Sequence, residues 1–178
     1  MNILDKQFGR VGNRMFQMAF CYAYARDKGI DFYYQDPKWF ERYGDEIREL
    51  FGSEVGQDNR ISVHIRRGDC VDNPFYVDLT KTDYYERALA EFPGEQFLVF
   101  SDDIDFAKEY FKGNFSFADG KDEYEDLNRM AACKGHIIAN SSFSWWGAYI
   151  GGGKTVYPGQ WFSDGVQRVG FPKEWICV

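Results

Sequence analysis

Apolar and polar residues along this chain fall into two alternating patterns. Short runs of four to six residues, apolar or alternating with period two, stand at Asn2–Lys6, Asp31–Tyr34, Arg60–Ile65, Gln96–Phe100, Asn114–Phe117, His136–Ala139 and Lys154–Tyr157. They predict strands. Between most of them lie segments with amphipathic, helix-like spacing: Asn13–Lys28, Asp45–Leu50, Asp83–Phe92, Asp102–Phe111, Asp122–Cys133 and Phe143–Ile150. Strands alternating with helices predict βαβ units, a mostly parallel sheet and the α/β class. The segment Pro37–Asn59 is polar, with only a short helical pattern. It reads as a connection between a first portion, residues 1–59, and a second, residues 60–178, with packing of the two as one compact unit the alternative.

In such sheets ligands bind beyond the carboxyl ends of the strands, so the strand–helix junctions are where chemistry is expected. Four of them carry informative residues. In "FGRVGNRMFQMA" a glycine-containing turn opens a helix. Gly9 and Gly12 allow close backbone approach, Asn13 suits an N-cap, and a helix N-terminus favours an anion. An ordinary capped turn explains the same residues.

In "VHIRRGD" alternation puts Val63 and Ile65 on one face of the strand and His64 and Arg66 on the other. Arg66 and Arg67 then emerge at the ligand edge, where a guanidinium fork matches phosphate oxygens. Asp69 is a candidate to hold one arginine or to cap the loop, and a surface salt-bridge cluster is the plainer reading. His64 is better read as a hydrogen-bonded structural residue than as a metal ligand, since His136 is the only other histidine.

In "FLVFSDD" a strand runs into Ser101, Asp102 and Asp103. Helix capping explains the acids. As a ligand site they suit a guanine base, whose N1–H and N2–H₂ one carboxylate can accept together. A magnesium-held diphosphate is the alternative, although adjacent acids are not the spaced pair such a site uses. In "GHIIANSSFSWWGAYI" the strand ends in Asn140, Ser141 and Ser142, which offer hydroxyls and helix N–H groups with no carboxylate. That suits a phosphate, while Trp145 and Trp146 fit a packed helix better than a sugar platform.

Composition narrows the partner. The chain has 178 residues, a formal charge of −7 and 19% aromatic residues. It is long enough for one good core, or one core with a small subdomain, and too acidic for broad nucleic-acid binding. Cys21, Cys70, Cys133 and Cys177 are widely separated, with no CxxC, so neither a zinc site nor a disulfide framework is expected. No apolar leader or membrane-spanning run is seen, and a cytoplasmic location is expected.

Taken together, the arginines and serines suit a pyrophosphate and Asp102 or Asp103 a guanine, which is a GDP-type site. The stretches "GRVGNRMFQMAF", "VHIRRGD", "FLVFSDD" and "DLNRMAACKGHIIANSSFSWWGAYI" also resemble the motifs of the alpha-1,2-fucosyltransferases, glycosyltransferase family 11. The likeness extends to the closing "KTVYPGQWF" and "EWICV". The resemblance implies a GT-B-like fold of two Rossmann-like halves. It implies inverting, metal-independent transfer of L-fucose from GDP-fucose to a glycan acceptor, with no further cofactor. Carried onto this sequence, Arg66 would bind the pyrophosphate and stabilise the leaving GDP, and Arg67 would support it. His64 and Asp102 or Asp103 would contact the guanosine. Ser141, Ser142 and Ser144, with Asn140 beside them, would line the phosphates, and Gly12 and Asn13 would close over the donor. Asp69 is the one candidate for a general base.

The departure from the family is the short gap between the glycine turn and the arginine motif, Arg14 to Val63, and Arg14 itself where glutamine is common. The first portion therefore reads as a reduced N-terminal half and the second as the GDP-sugar-binding half. Two further readings are a GDP-sugar-binding module without transferase activity and a transferase for another GDP-linked 6-deoxyhexose. An acceptor site completed by a second copy of the chain is also an expectation.

Overall fold

The computed structural model describes residues 11–27, 44–52, 56–119 and 122–178. The strands expected at Asn2–Lys6 and Asp31–Tyr34 lie outside these residues. Two helices, α1 (Val11–Asp27) and α2 (Gly44–Gly52), precede the first strand β1 (Asp58–Ile65). There follow α3 (Tyr84–Ala90), β2 (Phe97–Ser101), α4 (Ile104–Tyr110), β3 (Phe115–Phe117), α5 (Glu123–Ala131), β4 (Cys133–Ile137), α6 (Ser142–Gly151), β5 (Lys154–Tyr157) and β6 (Ile176–Cys177).

Residues Ile61 to Ile65 are buried without a break, as a strand covered by helices on both faces must be. The strands form one sheet of order β3-β2-β1-β4-β5-β6, and every pair is parallel. This is the Rossmann-like order, in which the direction of progression reverses between β1 and β4. Alternation then assigns the faces. Ile61, Val63 and Ile65 join Val99, Ile137 and Val156 in a core closed by Tyr85 and Ala88 of α3 and Ala107 of α4. His64 points to the other face, where its ring is 5.4 Å from that of Phe143 on α6.

That second face is roofed by α1, α2, α5 and α6. Trp145 and Trp146 are fully buried there. Phe16 of α1 lies 4.6 Å from Trp145 and 4.9 Å from Trp146, and Phe51 of α2 lies 5.5 Å from Trp146. Trp145 also donates its indole N–H to Gly170 O at 3.0 Å. The tryptophans are thus core residues that lock α6 to α1, α2 and the C-terminal segment.

Two expectations shift. The strand expected at His136–Ala139 runs from Cys133 to Ile137, and the helix expected to reach Cys133 ends at Ala131. Lys134 and Gly135 carry little strand signal alone; pairing of Gly135 with Ile61 and Lys154 on either side decides the matter. A side chain there has no room, because a Cβ on Gly135 would lie 3.0 Å from both Ile61 Cδ1 and Lys154 O. The two-residue β6, too short for any periodicity, is defined by its pairing with β5, with Ile176 packed on the core.

Candidate functional site

The reversal between β1 and β4 opens a crevice at the carboxyl ends of the strands, where this fold places ligands. A cavity of about 470 Å³ occupies it. From the β2 end to the far side its wall carries Ser101 and Asp102, then His64 near the end of β1 and Arg66 just after it, Asn140, Ser141 and Ser142 after β4, and Trp161 and Phe162 after β5. Gly12 and Asn13 of α1 and Glu123 and Asp126 of α5 close it from above.

Arg66 is held at its post by a carboxylate. Its Nη1 donates to Asp102 Oδ2, while the other oxygen, Oδ1, accepts the backbone N–H of Arg67 at 2.8 Å. The Arg66 side chain is only 11% exposed. Such a pair fixes the guanidinium geometrically as well as electrostatically. Asp102 is therefore an acid that positions this arginine; the Asp69 side chain lies outside the described ones. Arg67 turns away from the cavity. Its guanidinium lies 3.8 Å above the Phe106 ring, with Nη1 at 3.5 Å from Asp78 Oδ2 and 3.4 Å from Thr80 Oγ1. Arg67 acts on the site through its backbone N–H.

Asp103 does not line the cavity; its Oδ1 accepts Phe106 N–H at 3.1 Å and caps α4. The pair of acids thus divides, one facing the cavity and one closing a helix. Ser144 is also set back. Its hydroxyl is 2.9 Å from His64 Nδ1 and it is fully buried. Burial pushes the His64 pKa down to about 3, so the ring is neutral throughout the physiological range.

The phosphate-type features converge. Ser141 caps α6, its Oγ accepting Phe143 N–H at 3.3 Å, and Ser142 Oγ donates to Asn13 Oδ1 at 2.9 Å. The start of α1 thereby rests on the start of α6, so two positively polarised helix ends face one cavity with Arg66. The contact needs a glycine. A Cβ on Gly12 would lie 2.5 Å from Ser142 C, 2.6 Å from Ser142 O and 2.7 Å from Phe143 N, all backbone atoms. Gly12→Ala is expected to push α1 off α6 and to destabilise the fold by about 1–3 kcal/mol. A melting temperature unchanged from wild type would refute this packing.

Asn140 is a staple. Its Nδ2 donates to Val77 O at 2.9 Å and to Trp161 O at 3.1 Å, tying two loops to the end of β4. Sequence reading missed the acids of α5. Glu123 pairs with Arg14 across to α1 at 3.4 Å. Asp126 is buried, lies 3.6 Å from Arg129 Nη1, and has its carboxyl pKa raised by burial. Their signal was hidden because acids in a first helical turn read as dipole complements. It also missed Tyr76, Trp161 and Phe162, whose loop positions give no periodicity. Among the described residues no group of three or more His, Cys, Asp or Glu is placed to hold a metal ion. No helix among them is long and apolar enough to cross a membrane.

Comparison with known proteins agrees with the geometry. The chain is 35% identical over 158 residues to the alpha-1,2-colitosyltransferase of Escherichia coli, which covers 73% of this chain and 54% of that protein. It is 33% identical over 165 residues to the O-antigen biosynthesis glycosyltransferase WbnK of the same organism, covering 74% and 54%. The galactoside alpha-(1,2)-fucosyltransferase 1 of Aotus azarae is 32% identical over 133 residues, 65% of this chain and 32% of that protein. The chain spans about half the length of the two bacterial relatives. No solved structure matches it. The family model described as glycosyl transferase family 11 matches residues 5–177, and the chain belongs to that family.

Proposed function

We propose that the chain transfers L-fucose from GDP-fucose to a hydroxyl of a galactoside-type glycan, in an alpha-1,2 linkage, with inversion and without a metal ion. The observation that carries this reading is Arg66, clamped by Asp102 and facing the same cavity as the paired helix starts of α1 and α6. A pyrophosphate bridging these groups would meet the charge of Arg66 and the positively polarised starts of α1 and α6. Departure of the sugar builds negative charge on the β-phosphate, and a preorganised guanidinium stabilises that charge more in the transition state than in the ground state. Attack on the sugar C1 from the face opposite the departing phosphate inverts the anomeric centre. The acceptor proton leaves to a base on the face of attack, for which Asp69 is the candidate.

The guanine belongs at the β2 end. Asp102 is occupied by Arg66 and by the Arg67 N–H, whereas Asp126 stands where α5 begins, beyond the carboxyl end of β3. Asp102, Glu123 and Asp126 are the carboxylates that line the cavity at that end. This reading makes residues 60–178 the donor-binding half of a GT-B-like enzyme and residues 1–59 a reduced first half.

A second donor has a specific observation in its favour, the similarity to a colitosyltransferase; the same site would then take another GDP-linked deoxysugar. Thermal melts decide whether the nucleotide site exists. GDP at a hundredfold excess over its Kd should raise the melting temperature by about 5–10 °C. GDP-fucose with lactose should then give a trisaccharide, at an undiminished rate in EDTA. No shift with either nucleotide would sink the site. A shift without transfer from any GDP-deoxysugar would leave a binding module, and loss of turnover in EDTA would sink metal independence.

A further inference from the structure

Beyond Arg66 the cavity opens onto an aromatic shelf. Among the described residues four large hydrophobics are exposed: Val71 at 37%, Phe75 at 45%, Tyr124 at 54% and Val166 at 52%. Three of the four, Val71, Phe75 and Val166, belong to the loops after β1 and β5, so exposed apolar surface is concentrated there and not scattered. The two loops are joined as one body. Tyr76 and Phe162 form an antiparallel bridge, and Ser163 N–H donates to Phe75 O at 3.0 Å. The Phe75 ring centroid is 4.9 Å from that of Phe162 and 5.2 Å from that of Tyr76.

Arg168 completes the shelf. Its guanidinium lies 5.3 Å from the Phe75 centroid and 5.0 Å from the Phe162 centroid. Asp164 grips it through two hydrogen bonds, at 3.0 and 2.5 Å. The result is an apolar surface of rings tilted against one another, with a planar charged pair lying over Phe75 and Phe162. The shelf is also fixed relative to Arg66: the Asn140 staple ties both loops to β4, and Tyr76 and Phe162 line the same cavity as Arg66.

We propose that Phe75, with Tyr76, Phe162 and Arg168 packed against it, is the acceptor subsite, where the apolar face of a hexopyranose stacks on the exposed part of the Phe75 ring. The inference rests on the donor reading above and goes beyond it by giving the acceptor a place within the described residues. Three features select a sugar as the occupant. The shelf continues the wall of a cavity already suited to a nucleotide sugar, so a hydroxyl bound there faces the reacting carbon. A galactose-type ring has a C–H face that matches aromatic rings and hydroxyls at its rim that match Arg168 and Asp164. The base has its own carboxylates at the opposite, β2 end of the cavity.

Phe75→Ala and Arg168→Ala test it, with lactose as the probe and GDP present. Phe75 is exposed enough for its removal to leave the melting temperature within about 2 °C of wild type. In saturation-transfer NMR, wild type should transfer magnetisation to the ring protons of the galactose unit, and Phe75→Ala should lose most of that signal. In turnover the KM for lactose should rise about tenfold in Phe75→Ala, with kcat and the Kd for GDP within twofold of wild type. A lactose signal and KM unchanged in both variants would overturn the subsite while leaving the nucleotide site intact. A parallel loss of GDP affinity would overturn it in favour of nucleotide stacking. Dimers of wild type that Phe75→Arg dissociates would overturn it in favour of a self-interface. The NMR signal is read without turnover, so a wild type that fails to bind GDP condemns the donor reading separately.

Discussion

Arg66→Ala is expected to lower kcat by at least about a hundredfold, the usual effect of removing one group that stabilises developing negative charge. The loss should fall mainly on kcat, because the charge on the β-phosphate grows as the sugar departs. A secondary effect follows from the clamp. Without the guanidinium, Asp102 keeps the Arg67 N–H but loses the positive charge of Arg66, and its own charge would then repel a diphosphate. Arg66→Ala with Asp102→Asn should therefore bind GDP better than Arg66→Ala alone, with no recovery of turnover. Arg66→Lys keeps the charge but loses the fork, so it should fall between wild type and alanine. A kcat for Arg66→Ala within threefold of wild type would remove this arginine from the mechanism. Arg67→Ala provides the contrast. Its side chain faces Phe106, Asp78 and Thr80, so its effect should be smaller and appear partly as lost stability.

The sheet and its ligand edge were legible because they follow from local pattern. The run from Arg60 to Ile65 ends in two arginines, and a parallel strand that ends in charge must end at the edge where ligands bind. The serines before "FSWWGAYI" were equally plain, since a hydroxyl before an apolar helix both caps it and faces outward. The division between Asp102 and Asp103 was not legible. Adjacent residues at a strand end differ only in which way the backbone turns, and the turn is set by Phe106 N–H and the Arg67 backbone. Arg67 was hidden for a related reason: its direction depends on Phe106, Asp78 and Thr80, which come from separate elements. The shelf of Phe75, Tyr76 and Phe162 was hidden most of all. It is assembled from two loops far apart in the chain, and only the bridge between them makes it a surface.

Acid should destabilise this protein well above the carboxylate range. His64 and His136 are both buried, at 4% and 0% exposure. Each is engaged through Nδ1 with a buried hydroxyl, His64 with Ser144 at 2.9 Å and His136 with Ser62 at 2.7 Å. Burial pushes their pKa values down to about 3 and about 4. An unfolded histidine titrates near its ordinary value of about 6.5. Between these limits the unfolded chain binds protons that the folded chain refuses, so stability is complete above about pH 6.5 and falls as pH drops below it. At pH 5 each histidine costs about 2 kcal/mol, so the pair removes about 4 kcal/mol from a total that is commonly 5–15. Asp126, whose burial raises its carboxyl, works in the opposite direction near the ordinary carboxylate range. Asp58 and Asp78, lowered by their partners, lose their contribution only in stronger acid. Urea unfolding between pH 7.5 and 5 should therefore show stability falling with a slope approaching about 2.7 kcal/mol per pH unit below pH 6, the slope of two protons. His136→Gln keeps an amide for Ser62 and removes one titrating group, so it should halve that slope whatever it does to stability at pH 7.5. A flat profile between pH 6.5 and 5 in wild type would mean that the folded protein accepts protons at both rings. His64, the ring that lines the cavity, would then add its charge to that of Arg66.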